Sequence, residues 1–389
     1  MFALPVLLLC LCCLLSPFAV AETDEAAWQH YYQQSAQTLQ NDTAAIQAEL
    51  VRLGQNKAAL PAPARRFGFD NNVPASWYQT AEGTALLQSM LSLQTPSGGW
   101  SKRTDMSQPR QPGQHFGVEP NYVPTFDNSA TTTQLRVLAR AYTATSQQEY
   151  ASAFYRGLQL VFNAQYPNGG WPQTYPLRGG YHDHITLNDG VSADILNLLL
   201  DVSRQTGDFA FVSDTIRQQA SRRFDHGIAL LLKLQVNTAA GMTIWAGQYH
   251  HRSLTPAPAR AYEMVALSTA ESAAITRLLM RIEQPSAAVI NAVQQAANWF
   301  LQHQLADKLW HPTKRVLLDR PGSHRIWPRF AEIGSNKALF ADRDGIVVYD
   351  VHQVSLERRL GYGWYTDTPE QVLSHYDAWH RQHAATTPR

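Results

Sequence analysis

Beyond position 21 the 389-residue chain has no cysteine, since its three, Cys10, Cys12 and Cys13, all precede that point. That excludes a disulfide framework, a thiolate zinc site and a cysteine nucleophile in the body of the protein. Nor does charge of one sign predominate. Lys and Arg number 32 against 31 Asp and Glu, a formal charge of +1, so no bulk field draws in nucleic acid or an anionic membrane, and an anionic partner must be met locally. Charged residues make up only 16% and apolar ones 44%, with 22 Gly and 21 Pro. A disordered, collagen-like or coiled-coil chain is excluded, and the length permits one large domain or two to three small ones with a sizeable core.

The first 21 residues carry no charged side chain, hold an apolar run over 6–15 and end in Ala19-Val20-Ala21. This is the pattern of a signal peptide with a small-x-small cleavage site, here after Ala21, and it implies export to the periplasm or beyond. An uncleaved anchor is the alternative, although Pro5 and Pro17 shorten any spanning helix. Residues 22–65 read as a polar helical lead-in closed by the linker signal Leu60-Pro61-Ala62-Pro63. Residues 66–389 then form the main domain.

That domain repeats. Gln94-Thr95-Pro96-Ser97-Gly98-Gly99-Trp100 recurs as Gln165-Tyr166-Pro167-Asn168-Gly169-Gly170-Trp171, with weaker echoes at Gln235 (Trp245 beyond) and Gln304 (Trp310 beyond), so the glutamines step by 71, 70 and 69 residues. Apolar residues at helical spacing precede each glutamine, and second helical stretches follow near 130–142, 191–202 and 261–280. Three helix–loop–helix units closing into a ring predict an all-α fold, an α/α toroid. Past Trp310, short aromatic and β-branched runs predict a loop and short-strand cap.

In each unit the loop ends in a polar cluster: Asp127-Asn128, Asn188-Asp189 and Arg260-Ala261-Tyr262-Glu263, lying 33, 24 and 25 residues after their glutamines. Equivalent positions in a ring converge, which sets two carboxylates and an arginine face to face at the start of the second helices. Asp127, Asn128 and Asp189 suit helix caps, whereas Arg260 at a helix N-terminus opposes the macrodipole and calls for another use. Oxygens of Asp127 and Asp189 suit a hard cation, calcium before zinc. Arg325, Arg329 and Arg343 with Lys102 suit the carboxylates of a polyanionic sugar chain, or simply a solvated surface. Trp327 is the tryptophan singled out for the groove, while the Gly-Gly-Trp indoles suit the core. His182, His184, His250 and His251 lack a third zinc ligand and read as loop histidines.

Together, Asp127-Asn128 before a Thr-rich helix, Gly169-Gly170-Trp171-Pro172-Gln173, residues 184–189, Arg260-Ala261-Tyr262-Glu263 and Arg343-Asp344-Gly345 resemble the pectate lyases of polysaccharide lyase family 10, over roughly Phe69 to Tyr365. The resemblance implies an (α/α)3 toroid that cleaves α-1,4-polygalacturonate by calcium-dependent β-elimination to 4,5-unsaturated oligogalacturonides. It implies Arg260 as the catalytic base, Asp127 and Asp189 at the calcium (Ca2+), and Lys102, Asn128, Arg329 and Arg343 on the substrate. Departures fall at Pro328 and Ala331, at Asn336-Lys337 and at Gly190-Val191-Ser192; none removes a residue of that set, and they bear on subsite affinity. The expected partner is an acidic polysaccharide, with no nucleic acid, no membrane after cleavage and a monomeric chain. Two rival readings remain: an α/α-toroid glycoside hydrolase using Asp127 and Asp189 as its carboxylate pair, and a non-catalytic uronan-binding protein.

Overall fold

The structure is a computed structural model that describes residues 17–384, with side chains over 24–383. Most of the expected leader, residues 1–16, lies outside the described residues. Helix α1 (Pro17–Leu53) is followed by α2 (Ala81–Ser92), α3 (Thr132–Thr145), α4 (Gln148–Ala164), α5 (Val191–Arg204), α6 (Asp214–Leu234), α7 (Thr269–Met280), α8 (Ala287–Gln302), the short α9 (Leu356–Gly361) and α10 (Pro369–Ala384). Helices α3, α5 and α7 stand in contact as an inner set and are buried on most sides; α4, α6 and α8 pack outside them. The outer helices carry the amphipathic spacing that marks such a role. In α4 the buried residues include Tyr150, Phe154, Leu158 and Val161, one stripe facing inward. The architecture is an all-α toroid.

Short turns join each inner helix to the next outer one, whereas long loops (93–131, 165–190 and 235–268) lead back from the outer helix to the inner. The repeat seen in the sequence is the wiring of these loops. Gln94 Nε2 donates to the carbonyls of Gly98 (2.7 Å) and Ala153 (2.9 Å), Gln165 Nε2 to those of Gly169 (3.0 Å) and Arg223 (2.9 Å), and Gln235 Nε2 to those of Thr243 (2.8 Å) and Ala292 (3.1 Å). Each glutamine thereby ties its loop to the next outer helix. The indoles of Trp100, Trp171, Trp245 and Trp327 are fully buried and donate to backbone carbonyls of Met90, Val161, Leu231 and Phe300, near the ends of α2, α4, α6 and α8. The fourth member of the series is therefore Trp327 and not Trp310, which instead packs on Tyr365 in the cap at 5.0 Å.

Two expectations need correction. The third inner helix starts at Thr269, eight residues later than 261, because Leu267–Ser268 is taken up in an antiparallel pair with Phe330–Ala331. The C-terminal region is more than loops and strands. Two-residue strand pairs do surround a small core of Tyr262, Phe330, Phe340 and Trp364, but α10 then packs on α7 and α8 through Val372, Tyr376 and Trp379. Residues 22–65 are strapped to the ring. Trp28 and Tyr31 are buried against Tyr166, Tyr31 Oη donates to Ala164 O (3.0 Å), and Asp42 accepts from Ser97 N and Oγ at 2.8 and 2.6 Å. His251 stacks on Tyr166 and bonds Tyr32 Oη at 3.0 Å, so this histidine serves the docking of α1.

Candidate active site

The long loops deliver their polar clusters to one end of the inner helices. Thr125 N, Thr186 N and Ser268 N each donate to the backbone carbonyl of Trp100, Trp171 or Trp245, which sets a common register. Two residues on, a 3-10 turn follows in the first two repeats, Asp127–Ser129 and Asn188–Gly190, and the two turns touch. Their central residues, Asn128 (φ 53°) and Asp189 (φ 52°), are left-handed, a conformation that Asn and Asp tolerate best and that concentrates at functional sites. The register pairs Asp127 with Asn188 and Asn128 with Asp189.

In the third repeat no such turn intervenes. Helix α7 begins at once, and its first turn presents Glu271, which accepts from Ser268 Oγ (2.6 Å) and Arg329 (2.6 Å). Counted from Ser268, Glu271 takes the register of Asn128 and Asp189, and Arg260 sits nine residues before α7 in a loop. The macrodipole argument for Arg260 falls, since it is not at a helix N-terminus. No fixed spacing in the sequence marks Glu271, because Thr125, Thr186 and Ser268 lie 25, 15 and 23 residues after Trp100, Trp171 and Trp245.

A cavity of about 410 Å3 opens over these turns. Lys102, Asp127, Asn128, Asp189, Arg260 and Arg329 all line it, together with Glu263, Tyr181, Gln248 and Tyr362. Trp327 and Arg343 do not. Trp327 is fully buried with its indole bonded to Phe300 O, so it cannot present a face to a sugar. Arg343 projects from the turn beside the Arg260 loop, exposed and bidentate to Glu357 at 2.9 and 3.1 Å.

Charges within the cavity are arranged in pairs. Lys102 Nζ meets Asp127 Oδ2, and Asn128 Nδ2 donates to Asp127 Oδ1 at 3.0 Å. Arg329 lies 2.6 Å from Glu271 and 4.0 Å from Asp189, with its guanidinium 4.9 Å over the Tyr362 ring. Burial disfavours its charge, yet Glu271, Tyr362 and Asp189 outweigh that and hold it above the ordinary arginine range. Burial first, and then the neighbouring charge of Asp127, push Asp189 up to about 7 against the pull of Arg329. Burial likewise raises Tyr181 to about 12.

Arg260 is bound by Glu263, Nε to Oε2 at 2.7 Å and Nη2 to Oε1 at 2.5 Å, and Tyr362 Oη adds a bond to the same carboxylate at 2.8 Å. Burial lowers the arginine's proton affinity, but the bonds and charge of Glu263 more than reverse this, so it sits above its ordinary value. A guanidinium surrounded by cations would be depressed; this one faces an anion.

Among the described residues no three acidic or histidine side chains converge closely enough to hold a metal unaided. The cavity does offer two neighbouring carboxylates, Asp127 and Asp189, and three buried amide oxygens without a donor, Gln173 Oε1, Asn188 Oδ1 and Gln248 Oε1. Such an all-oxygen set suits a hard cation whose shell is completed by substrate and water. Interleaved with it are Lys102, paired with Asp127, Arg329, 4.0 Å from Asp189, and Arg260, all suited to carboxylates.

Residues 94–373 match the Pectic acid lyase family. The chain belongs to that family. A family 10 polysaccharide lyase from Cellvibrio cellulosa superimposes with a TM-score of 0.70 at 31% identity, over 81% of this chain and 98% of that one. An aspartate-to-alanine mutant of a family 10 polysaccharide lyase from the same organism, in complex with trigalacturonic acid, aligns with the same score and identity over 99% of its length. No curated protein sequence matches. As a member of the family this chain is a polysaccharide lyase, a pectate lyase, which sets aside both the hydrolase and the non-catalytic readings. Among the described residues no helix is long and apolar enough to cross a membrane.

Proposed function

We propose that this pectate lyase is exported through cleavage of residues 1–21 and acts as a monomer on α-1,4-polygalacturonate by calcium-assisted β-elimination. The observation that carries the reading is that one cavity holds both a set of cations, Lys102, Arg260 and Arg329, and a set of oxygen donors around Asp127 and Asp189. A chain with one carboxylate per sugar needs the first, and a hard cation the second.

The C5 hydrogen of a uronate lies α to its C6 carboxylate and is barely acidic, because its removal places further charge beside an anion. Calcium held at Asp127 and Asp189 would supply Lewis-acid stabilisation of that charge. Arg329, kept charged by Glu271, and Lys102 supply preorganised positive charge to the same carboxylate. Arg260, once its guanidinium has lost a proton to solvent hydroxide, takes the C5 proton, the C5–H electrons form the C4=C5 double bond, and the bond from C4 to the glycosidic oxygen breaks. The departing oxygen is protonated by solvent. Glu263 keeps Arg260 charged until a proton is given up, so turnover rises with pH across the alkaline range.

The test follows absorbance of the 4,5-unsaturated uronide with polygalacturonate at alkaline pH, with calcium and with excess chelator. A rise that the chelator abolishes supports the proposal. A rise indifferent to chelator sinks the calcium assignment, and new reducing ends without a rise sink elimination.

A further inference from the structure

Beside the catalytic cavity lies a second one of about 600 Å3, and the two share Lys102, Arg103, Asn128 and Asp189 in their walls. The two cavities adjoin through these shared walls. The walls of the second cavity include Arg66, Phe69, Asn71 and Asp70, the last accepting from Asn72 N at 2.9 Å, all from a segment that precedes the family match at residue 94.

This segment is fixed in place. Ala64 N donates to Arg103 O, Asp105 N to Ala62 O and Met106 N to Phe67 O, each at 2.9 Å, so residues 62–67 run bonded to 103–106. Phe69 stacks on the buried Phe67 at 5.9 Å and remains partly exposed. Arg66 (φ 58°) and Arg103 (φ 55°) both hold left-handed backbone, a costly choice for arginine that persists where the surroundings enforce it. Arg103 is 3.6 Å from Glu119, whereas Arg66 is exposed and has no carboxylate partner among the described residues.

We propose that Arg66, with Phe69 as an apolar platform, forms a distal subsite that binds the carboxylate and ring face of a uronate several sugars from the reaction centre. An unpaired guanidinium suits a carboxylate, an aromatic face suits a sugar ring, and the amides of Asn71 and Asn128 suit its hydroxyls. This inference rests on the reading of the site as uronate-binding. It makes Arg66 a determinant of chain-length preference and not of chemistry.

The experiment compares trigalacturonate with hexagalacturonate in the unaltered protein, in Arg66→Asn, which tolerates the left-handed backbone, and in Arg66→Lys. Steady-state elimination gives kcat/KM, and calorimetry with calcium present in the Arg260→Ala background gives affinity without turnover. The expected result is tighter binding of the hexamer, reduced about ten-fold by Arg66→Asn and largely restored by Arg66→Lys, with the change in kcat/KM appearing as KM. Equal loss for trimer and hexamer, or no loss for either, overturns the subsite. Failure of the unaltered protein to form unsaturated product would overturn the catalytic reading, and the calorimetric ratio would still decide the subsite.

Discussion

Arg260 and Glu263 are three residues apart and make a bidentate pair in which one member is the proposed base and the other holds its proton on. Arginine is a poor base at its ordinary pKa, and Glu263 makes it poorer at rest. Arg260→Ala is expected to lower kcat at least a thousand-fold, on the order of the loss of an essential proton-transfer group, with the circular dichroism spectrum retained; substantial residual turnover would remove it from the base position. Glu263→Gln keeps the shape and removes the charge. The alkaline limb of its pH–rate profile is expected to move to lower pH, and an unmoved limb would mean that Glu263 does not set the arginine's proton affinity.

At the scale of elements, the repeating loops hold because their glycines permit a close approach. Gly169 has φ +101°, and a Cβ there would lie 2.6 Å from the carbonyl oxygen of His226 on α6. Gly169→Ala meets both a backbone penalty and a steric one, so a loss of about 2–4 kcal/mol is expected in chemical denaturation. Gly179, left-handed but with open space around it, serves as the control and should cost less. Helix α1 is held chiefly by aromatic packing, with Trp28 buried against Tyr166 and His251. Trp28→Ala is expected to cost about 3–5 kcal/mol, and limited proteolysis should then cut within 54–66 before the ring is attacked. Simultaneous loss of ring and helix would show that the two fold as one cooperative unit.

For the whole molecule, the cavity joins three loops distant in sequence, so occupancy of the site feeds back on stability. Without a cation, Asp189 holds its proton up to about 7 in the folded state and only to its ordinary value when unfolded. The folded protein then binds more protons over that interval, and the stability of metal-free protein falls as pH rises through it. Calcium bound to the folded state alone at the proposed site would reverse the trend. Melting temperatures at pH 5 and pH 8, with calcium and with chelator, are expected to show a calcium gain that is larger at pH 8 and lost in Asp189→Asn. An equal gain in that variant would place the ion elsewhere.

Much of this protein was legible in its residues. The glutamine period, the Gly-Gly-Trp motif and the spacing of apolar residues specify three helical units and the toroid, because a glutamine that bonds its own loop and the next outer helix must recur once per unit. Lys102, Asp127, Asn128, Asp189, Arg260 and Arg329 could be named for the site from the loop-end clusters together with the resemblance to family 10 lyases, and all six line one cavity. Helix α10 was legible but overlooked, its Val372, Tyr376 and Trp379 being spaced four and three apart. What only the tertiary structure decided are facts of register and burial. Trp327 belongs to the core because α8 ends at its indole; Glu271 replaces Arg260 as the third equivalent position because a strand pair delays α7; Arg343 turns to Glu357 outside the cavity; and Arg260 faces Glu263 rather than other cations. Each depends on pairings between segments tens of residues apart, and a period in the sequence states that such segments are equivalent without stating which side chains will meet.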